Sequence, residues 1–91
     1  MTLHRWDAKR DANEKEIVKC FKAHGISVFR LDRPLDLLLG YNKKNYLVEV
    51  KMLDKALNKK QSEFVEDWKG QWIMIDSIDQ AVKLSREILK R

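Results

Sequence analysis

Apolar and polar positions change period several times along the chain, and each change marks an element. Between Asp11 and Gly25, the residues Ile17, Val18 and Phe21 fall at helical spacing and form the stripe of an amphipathic helix. Asp11 suits the N-cap, Glu14 three residues on completes a capping-box pair, and Gly25 supplies the stop. Ile26 to Leu31 is β-branched and aromatic and reads as a strand, with Asp32-Arg33-Pro34 as the turn after it. From Pro34 to Lys51 two apolar runs flank a polar turn, Tyr41-Asn42-Lys43-Lys44-Asn45, which predicts a β-hairpin. Met52 to Lys60 is a loop. Asn58 with Gln61 at the N3 position caps a second helix, whose face carries Gln61, Phe64, Val65 and Trp68 and which Gly70 ends. Trp72-Ile73-Met74-Ile75 is an uninterrupted apolar run, the pattern of a strand buried on both faces. Ser77 with Gln80 makes another capping box, and Ile78, Ala81, Val82, Ser85, Ile88 and Leu89 stripe a last helix.

The order is therefore helix, three strands, helix, strand, helix. A helix between strands requires a crossover and some parallel pairing, so the expected class is an α/β sandwich around a mixed four-stranded sheet with a C-terminal helix. The 91 residues are a single-domain length, so residues 1–91 are expected to be one domain.

Three charges interrupt the apolar runs of the hairpin: Asp36, Glu49 and Lys51. Strand side chains alternate, so Glu49 and Lys51 point to one side. A hairpin centred between Asn42 and Lys43 sets Asp36 opposite Glu49 and Leu38 opposite Leu47, for a loop of two or four residues. Opposed carboxylates repel at a Cβ separation of roughly 4.5–5.5 Å. A divalent cation between them reverses the sign, and hard cations such as Mg²⁺ favour carboxylate and phosphate oxygens. Lys51 then stands where it can steady an attacking water or developing phosphate charge.

Asp36 followed by Glu49-Val50-Lys51, on a helix, strand, hairpin, helix, strand background, resembles the PD-(D/E)-x-K nuclease motif. Roughly Asp11 to Ile88 is similar to small phage-type members related to archaeal Holliday-junction resolvases and virus-type replication-repair nucleases. Leu35 separates Pro34 from Asp36, so the literal Pro-Asp pair is absent. The resemblance implies a restriction-endonuclease-like αβββαβ core and a Mg²⁺- or Mn²⁺-dependent endo- or exonuclease acting on structured DNA in replication, recombination or repair. It implies Asp36 and Glu49 as metal ligands with the Val50 carbonyl, and Lys51 as the residue that orients water. Such nucleases often carry a glutamate on the first helix, which points to Glu14 as a third acid; the capping box alone also explains Glu14. They also use a polar residue at the head of the second helix near the water or phosphate, here Gln61, for which capping is again the plainer account.

Composition agrees with a soluble globular domain: 44% hydrophobic and 36% charged residues. A net charge of +5 and a pI near 9.4 favour a polyanionic partner, although many basic proteins bind no nucleic acid. The candidate phosphate contacts are Lys43 and Lys44 at the hairpin tip, Arg33 in the preceding turn, and Lys59 and Lys60 before the second helix; plain solvation is the competing account of each. The lone cysteine, Cys20, excludes an intrachain disulfide and fits a reducing compartment, the cytoplasm of a host if the chain is phage-encoded. No signal-peptide pattern and no apolar run of ~20 residues suggests a membrane partner. A chain this short buries only about 60–65% of its unfolded surface, which favours support from a metal or a homodimer partner.

Two further classes compete with the nuclease. One is a non-catalytic nucleic-acid-binding or protein-interaction module on the same scaffold, and the other an inhibitor or accessory protein whose charged hairpin docks on a partner. Only the enzyme requires the paired acids. Zinc spacing, a glycine-rich phosphate loop and a nucleophile beside a histidine are all missing from the sequence.

Overall fold

The computed structural model describes residues 13–51 and 56–91. Helix α1 (Glu14–Ala23) buries Glu14, Ile17, Val18 and Phe21, the stripe its spacing predicts. Its N-cap is Asn13, so Glu14 is the first helical residue rather than the third residue of a capping box. Asn13 makes no side-chain cap; its amide donates to the Asp76 carbonyl at 3.1 Å and ties the helix start to the far end of the chain. Asp11, the expected cap, lies outside the described residues. At the other end, Gly25 takes φ +80°. The Gly25 N–H reaches Lys22 O and the Ile26 N–H reaches Phe21 O, with Ile26 and Phe21 both buried: a Schellman stop.

Strand β1 (Ser27–Arg30) pairs antiparallel with β2 (Leu37–Tyr41), and β2 with β3 (Lys44–Val50). Asn42 and Lys43 both have positive φ, 53° and 63°, as a two-residue hairpin turn demands when its twist matches that of the strands. Leu38 faces Leu47, as the centring of the turn requires. Helix α2 (Lys59–Asp67) crosses over to β4 (Trp72–Ile75), which pairs parallel with β3, and α3 (Ile78–Lys90) closes the chain. The sheet is mixed and four-stranded, in the order β1-β2-β3-β4.

The two faces of this sheet are covered unequally. Leu37, Leu39, Tyr46, Val48, Val50 and Ile75 join Ile17, Val18, Phe21, Ala81, Leu84 and Ile88 in one core under α1 and α3. On α3 the buried set is Ala81, Leu84, Ser85 and Ile88, while Ile78 and Leu89 are exposed; packing against α1 turns the buried stripe toward Leu84. The other face carries α2, none of whose residues is fully buried. Trp72 to Ile75 is accordingly not covered on both sides: Met74 is 43% exposed, because β4 is an edge strand and α2 is too short to shield it. Helix α2 ends at Asp67, before Gly70, with Trp68 as its extended C-cap. Gly70 serves a different purpose, since a Cβ there would lie 2.8 Å from the Trp68 indole.

Phe21→Ala should therefore cost about 3–5 kcal/mol by cavity formation, whereas Phe29→Ala, at a side chain 67% exposed, should stay within about 0.5 kcal/mol. Urea unfolding of the two variants measures both; equal losses would contradict this division between core and open face.

Candidate functional site

The site is built at the end of the hairpin remote from its turn. Leu47 of β3 and Lys51 just after it donate their N–H groups to the β4 side, at Gln71 O (3.1 Å), just before β4, and Ile75 O (2.9 Å). The main-chain groups of Val50 consequently turn toward β2, and its N–H donates to Asp36 Oδ2 at 2.8 Å. The Val50 carbonyl points to that same side, as the N–H and C=O of one strand residue do.

Asp36 itself departs from simple pairing. The ladder ends at Leu37↔Val48, and the Asp36 N–H turns to Val48 O at 3.1 Å, so two residues of one strand meet one of the other, as in a β-bulge. The expected direct pairing of Asp36 with Glu49 is thus not part of the ladder. The physical reason is that β2 bends here: the Asp36 carbonyl accepts from Leu31 N–H at 2.6 Å, and its carboxylate takes the Val50 N–H in place of a ladder bond.

Glu49 alternates with the core residues Val48 and Val50 and so faces α2. It is only 1% exposed. Its Oε2 accepts from Gln61 Nε2 at 2.9 Å and lies 3.2 Å from Lys51 Nζ. Its Oε1 is buried with no hydrogen-bond partner. Burial pushes the carboxyl up from its usual 4.5 to about 7, the negative Asp36 adds to the push, and Lys51 and Gln61 pull it partly back.

Gln61 performs both jobs that its position suggests. It completes the capping box with Asn58, its N–H donating to Asn58 Oδ1 at 2.8 Å and its Oε1 accepting from Asn58 N–H at 3.1 Å. The remaining Nε2 is left to hold Glu49. One amide side chain therefore locks the start of α2 to the central strand.

Asp36, Glu49, Lys51, Gln61 and Val50 come together. Glu14 does not join them: it is buried on the α1 side, where its Oε2 receives Arg30 Nε and Nη2, each at 3.0 Å. Among the described residues no group of three or more His, Cys, Asp or Glu side chains gathers to hold a metal. The oxygens available to a cation at the site are those of Asp36, Glu49 and the Val50 carbonyl. Glu49 Oε1 fits that use, because a buried carboxylate oxygen without a donor is costly unless something positive meets it.

The basic candidates divide. Lys43 is in the turn and Lys44 pairs with Tyr41, so both stand at the opposite end of β3 from Glu49, roughly 16–20 Å away at about 3.3 Å per residue. Lys59 is the exposed first residue of α2. Arg33 and Lys60 instead line a cavity of about 330 Å³ with Asp32, Pro34, Asn58 and Gln61. Asp32, Pro34 and Asn58 were not readable as site residues from composition; their one signal is proximity in sequence to Asp36 and Gln61.

The raised Glu49 value has a consequence for stability. The folded chain holds this proton more tightly than the unfolded one, so the contribution is complete below about 4.5 and is lost as pH rises through about 7. In EDTA the melting temperature should fall between about pH 5 and about pH 8. Glu49→Gln should flatten that profile, and Asp36→Asn, which keeps an acceptor for the Val50 N–H, should melt higher than wild type at the alkaline end. Thermal melts across pH decide this; an unaltered profile in Glu49→Gln would assign the titration to another group.

In comparisons with known proteins, no family model matches the chain, and neither a curated protein nor a solved structure shows significant similarity to it.

Proposed function

We propose that this chain is a Mg²⁺- or Mn²⁺-dependent nuclease on a restriction-endonuclease-like scaffold, hydrolysing phosphodiester bonds in nucleic acid, with DNA the first substrate to try. The observation that carries the reading is Glu49: a buried carboxylate with one unpartnered oxygen, beside a second acid and a lysine, at the centre of a sheet. A sequence shaped for stability alone would place an apolar residue there. Asp36 and Glu49, with the Val50 carbonyl, would hold the metal. When bound, a divalent cation neutralises phosphate charge and lowers the pKa of an attacking water.

The protein's own groups do the positioning. Gln61 and Lys51 fix Glu49 Oε2, leaving Oε1 for the cation. The Val50 N–H fixes Asp36 Oδ2. Lys51 is partly exposed, and its ammonium can turn from Glu49 to orient a water or meet a phosphate oxygen. Net charge of +5 draws a polyanion to the surface. Glu14, paired with Arg30, supports the fold around the site in this reading.

Incubation with labelled DNA and RNA of several forms, four-way junctions and strand ends included, tests the proposal with Mg²⁺, Mn²⁺ or chelator. Cleavage should require metal and fall on the order of a hundredfold or more in Asp36→Asn, Glu49→Gln and Lys51→Ala, the loss typical of preorganised electrostatic groups. Wild-type rates in Glu49→Gln would refute the site. Binding without cleavage under every metal condition would leave a nucleic-acid-binding module.

A further inference from the structure

The cavity of about 330 Å³ joins two segments, the turn Asp32-Arg33-Pro34 that leads into Asp36 and the start of α2 at Asn58, Lys60 and Gln61. Gln61 belongs to both cavity and site, since its Nε2 donates to Glu49 at 2.9 Å. Whatever fills the cavity therefore lies one side chain from the carboxylates. Arg33 and Lys60 bring two cations to it, and neither is in an ion pair among the described residues. The volume is at the low end of small-ligand pockets, about 300–1,000 Å³, and about ten times what one water takes up. That space exceeds the need of a lone phosphate and suits one nucleotide. The lining divides to match: Arg33 and Lys60 for phosphate, the Pro34 ring as an apolar surface for a base, and the Asp32 carboxylate as an acceptor for a base N–H such as thymine N3–H.

We infer that this cavity is a subsite for one unpaired nucleotide next to the scissile phosphate, which makes the substrate class a single-stranded segment, flap or frayed end rather than continuous duplex. The inference rests on the nuclease reading for the word scissile. The reason for strandedness is geometric: a base inside a duplex is stacked and paired, and it enters a pocket only when it leaves the stack, at a cost that single strands do not incur. Arg33 and Lys60 are binding residues here, and the chemistry stays with Asp36, Glu49 and Lys51.

Fluorescence anisotropy in Ca²⁺ separates the possibilities, using a labelled oligothymidylate, a duplex of equal phosphate count, and unlabelled thymidine 5′-monophosphate as competitor. Wild type should bind the single strand at least about tenfold more tightly than the duplex, and the mononucleotide should displace it. Arg33→Ala with Lys60→Ala should weaken single-strand binding about tenfold and erase most of the preference, whereas Lys83→Ala with Arg86→Ala, an equal loss of charge at exposed positions elsewhere, should leave the preference intact. Equal affinity for both forms, or no displacement of wild type by the mononucleotide, overturns the inference, and neither result depends on how a variant folds. Cleavage is scored separately: strand preference in binding with no cleavage in Mg²⁺ or Mn²⁺ removes the nuclease reading and keeps the pocket, and cleavage of duplex as fast as single strand does the reverse.

Discussion

Because Asn42 and Lys43 both adopt left-handed backbone angles, β2 and β3 are joined without slack, and the facing of every side chain on both strands follows. A slip of β3 by one residue against β2 would send Tyr46, Val48 and Val50 to the thinly covered face and put Glu49 into the apolar core. Burial of that apolar set holds the register, and the register in turn holds Glu49, Lys51 and the end of β2 in one place. Neither strand could carry the charged group alone. Its position is a by-product of pairing that apolar burial enforces on the opposite face.

Glu49 is the point where this fold departs from what stability favours. A carboxylate among apolar strands loses hydration, and a nearby Asp36 adds repulsion, which is why its proton is held so far above the usual range. Lys51 and Gln61 compensate one oxygen and leave the other unmet. Glu14 shows the contrasting solution. It is equally buried, but two nitrogens of the Arg30 guanidinium converge on its Oε2, a charge-assisted contact that offsets the cost of burial. Two buried glutamates thus sit in one small protein, one held by an arginine and one left with an unmet oxygen.

Unequal cover of the sheet also bears on function. The α1–α3 side is filled by apolar residues of β2, β3, β4 and the two helices, with the half-buried Val28 of β1 against them. On the other side α2 rests lightly, anchored at its first turn by Asn58 and Gln61 and by the bond from Gln61 to Glu49. The result is a site bordered by open space, with a cavity under the turn before β2 and exposed apolar side chains such as Phe29 and Met74 farther out. A tightly packed helix in that place would have stabilised the sheet and closed the approach to Glu49.

Local information in the chain determined most of the fold. The stripe of α1, its glycine stop, the hairpin turn and the Asn58–Gln61 capping box all depend on residues within a few positions of one another, where backbone preference and periodicity act directly. The side shared by Glu49 and Lys51 was equally legible, since alternation is a property of any strand. Tertiary structure decided what depends on distant partners. Asn13 became the cap of α1 through contact with Asp76, Leu84 displaced Ile78 and Leu89 from the buried stripe through packing on α1, and Met74 stayed exposed because β4 ended up at an edge. Glu14 met Arg30, a residue on β1, and Asp36 left the ladder for the Val50 amide through bonds to both neighbouring strands. The same holds for the basic residues: sequence alone ranks Lys43 with Arg33, yet the direction in which β3 runs separates one from the carboxylates by the length of a strand and brings the other to the cavity beside them.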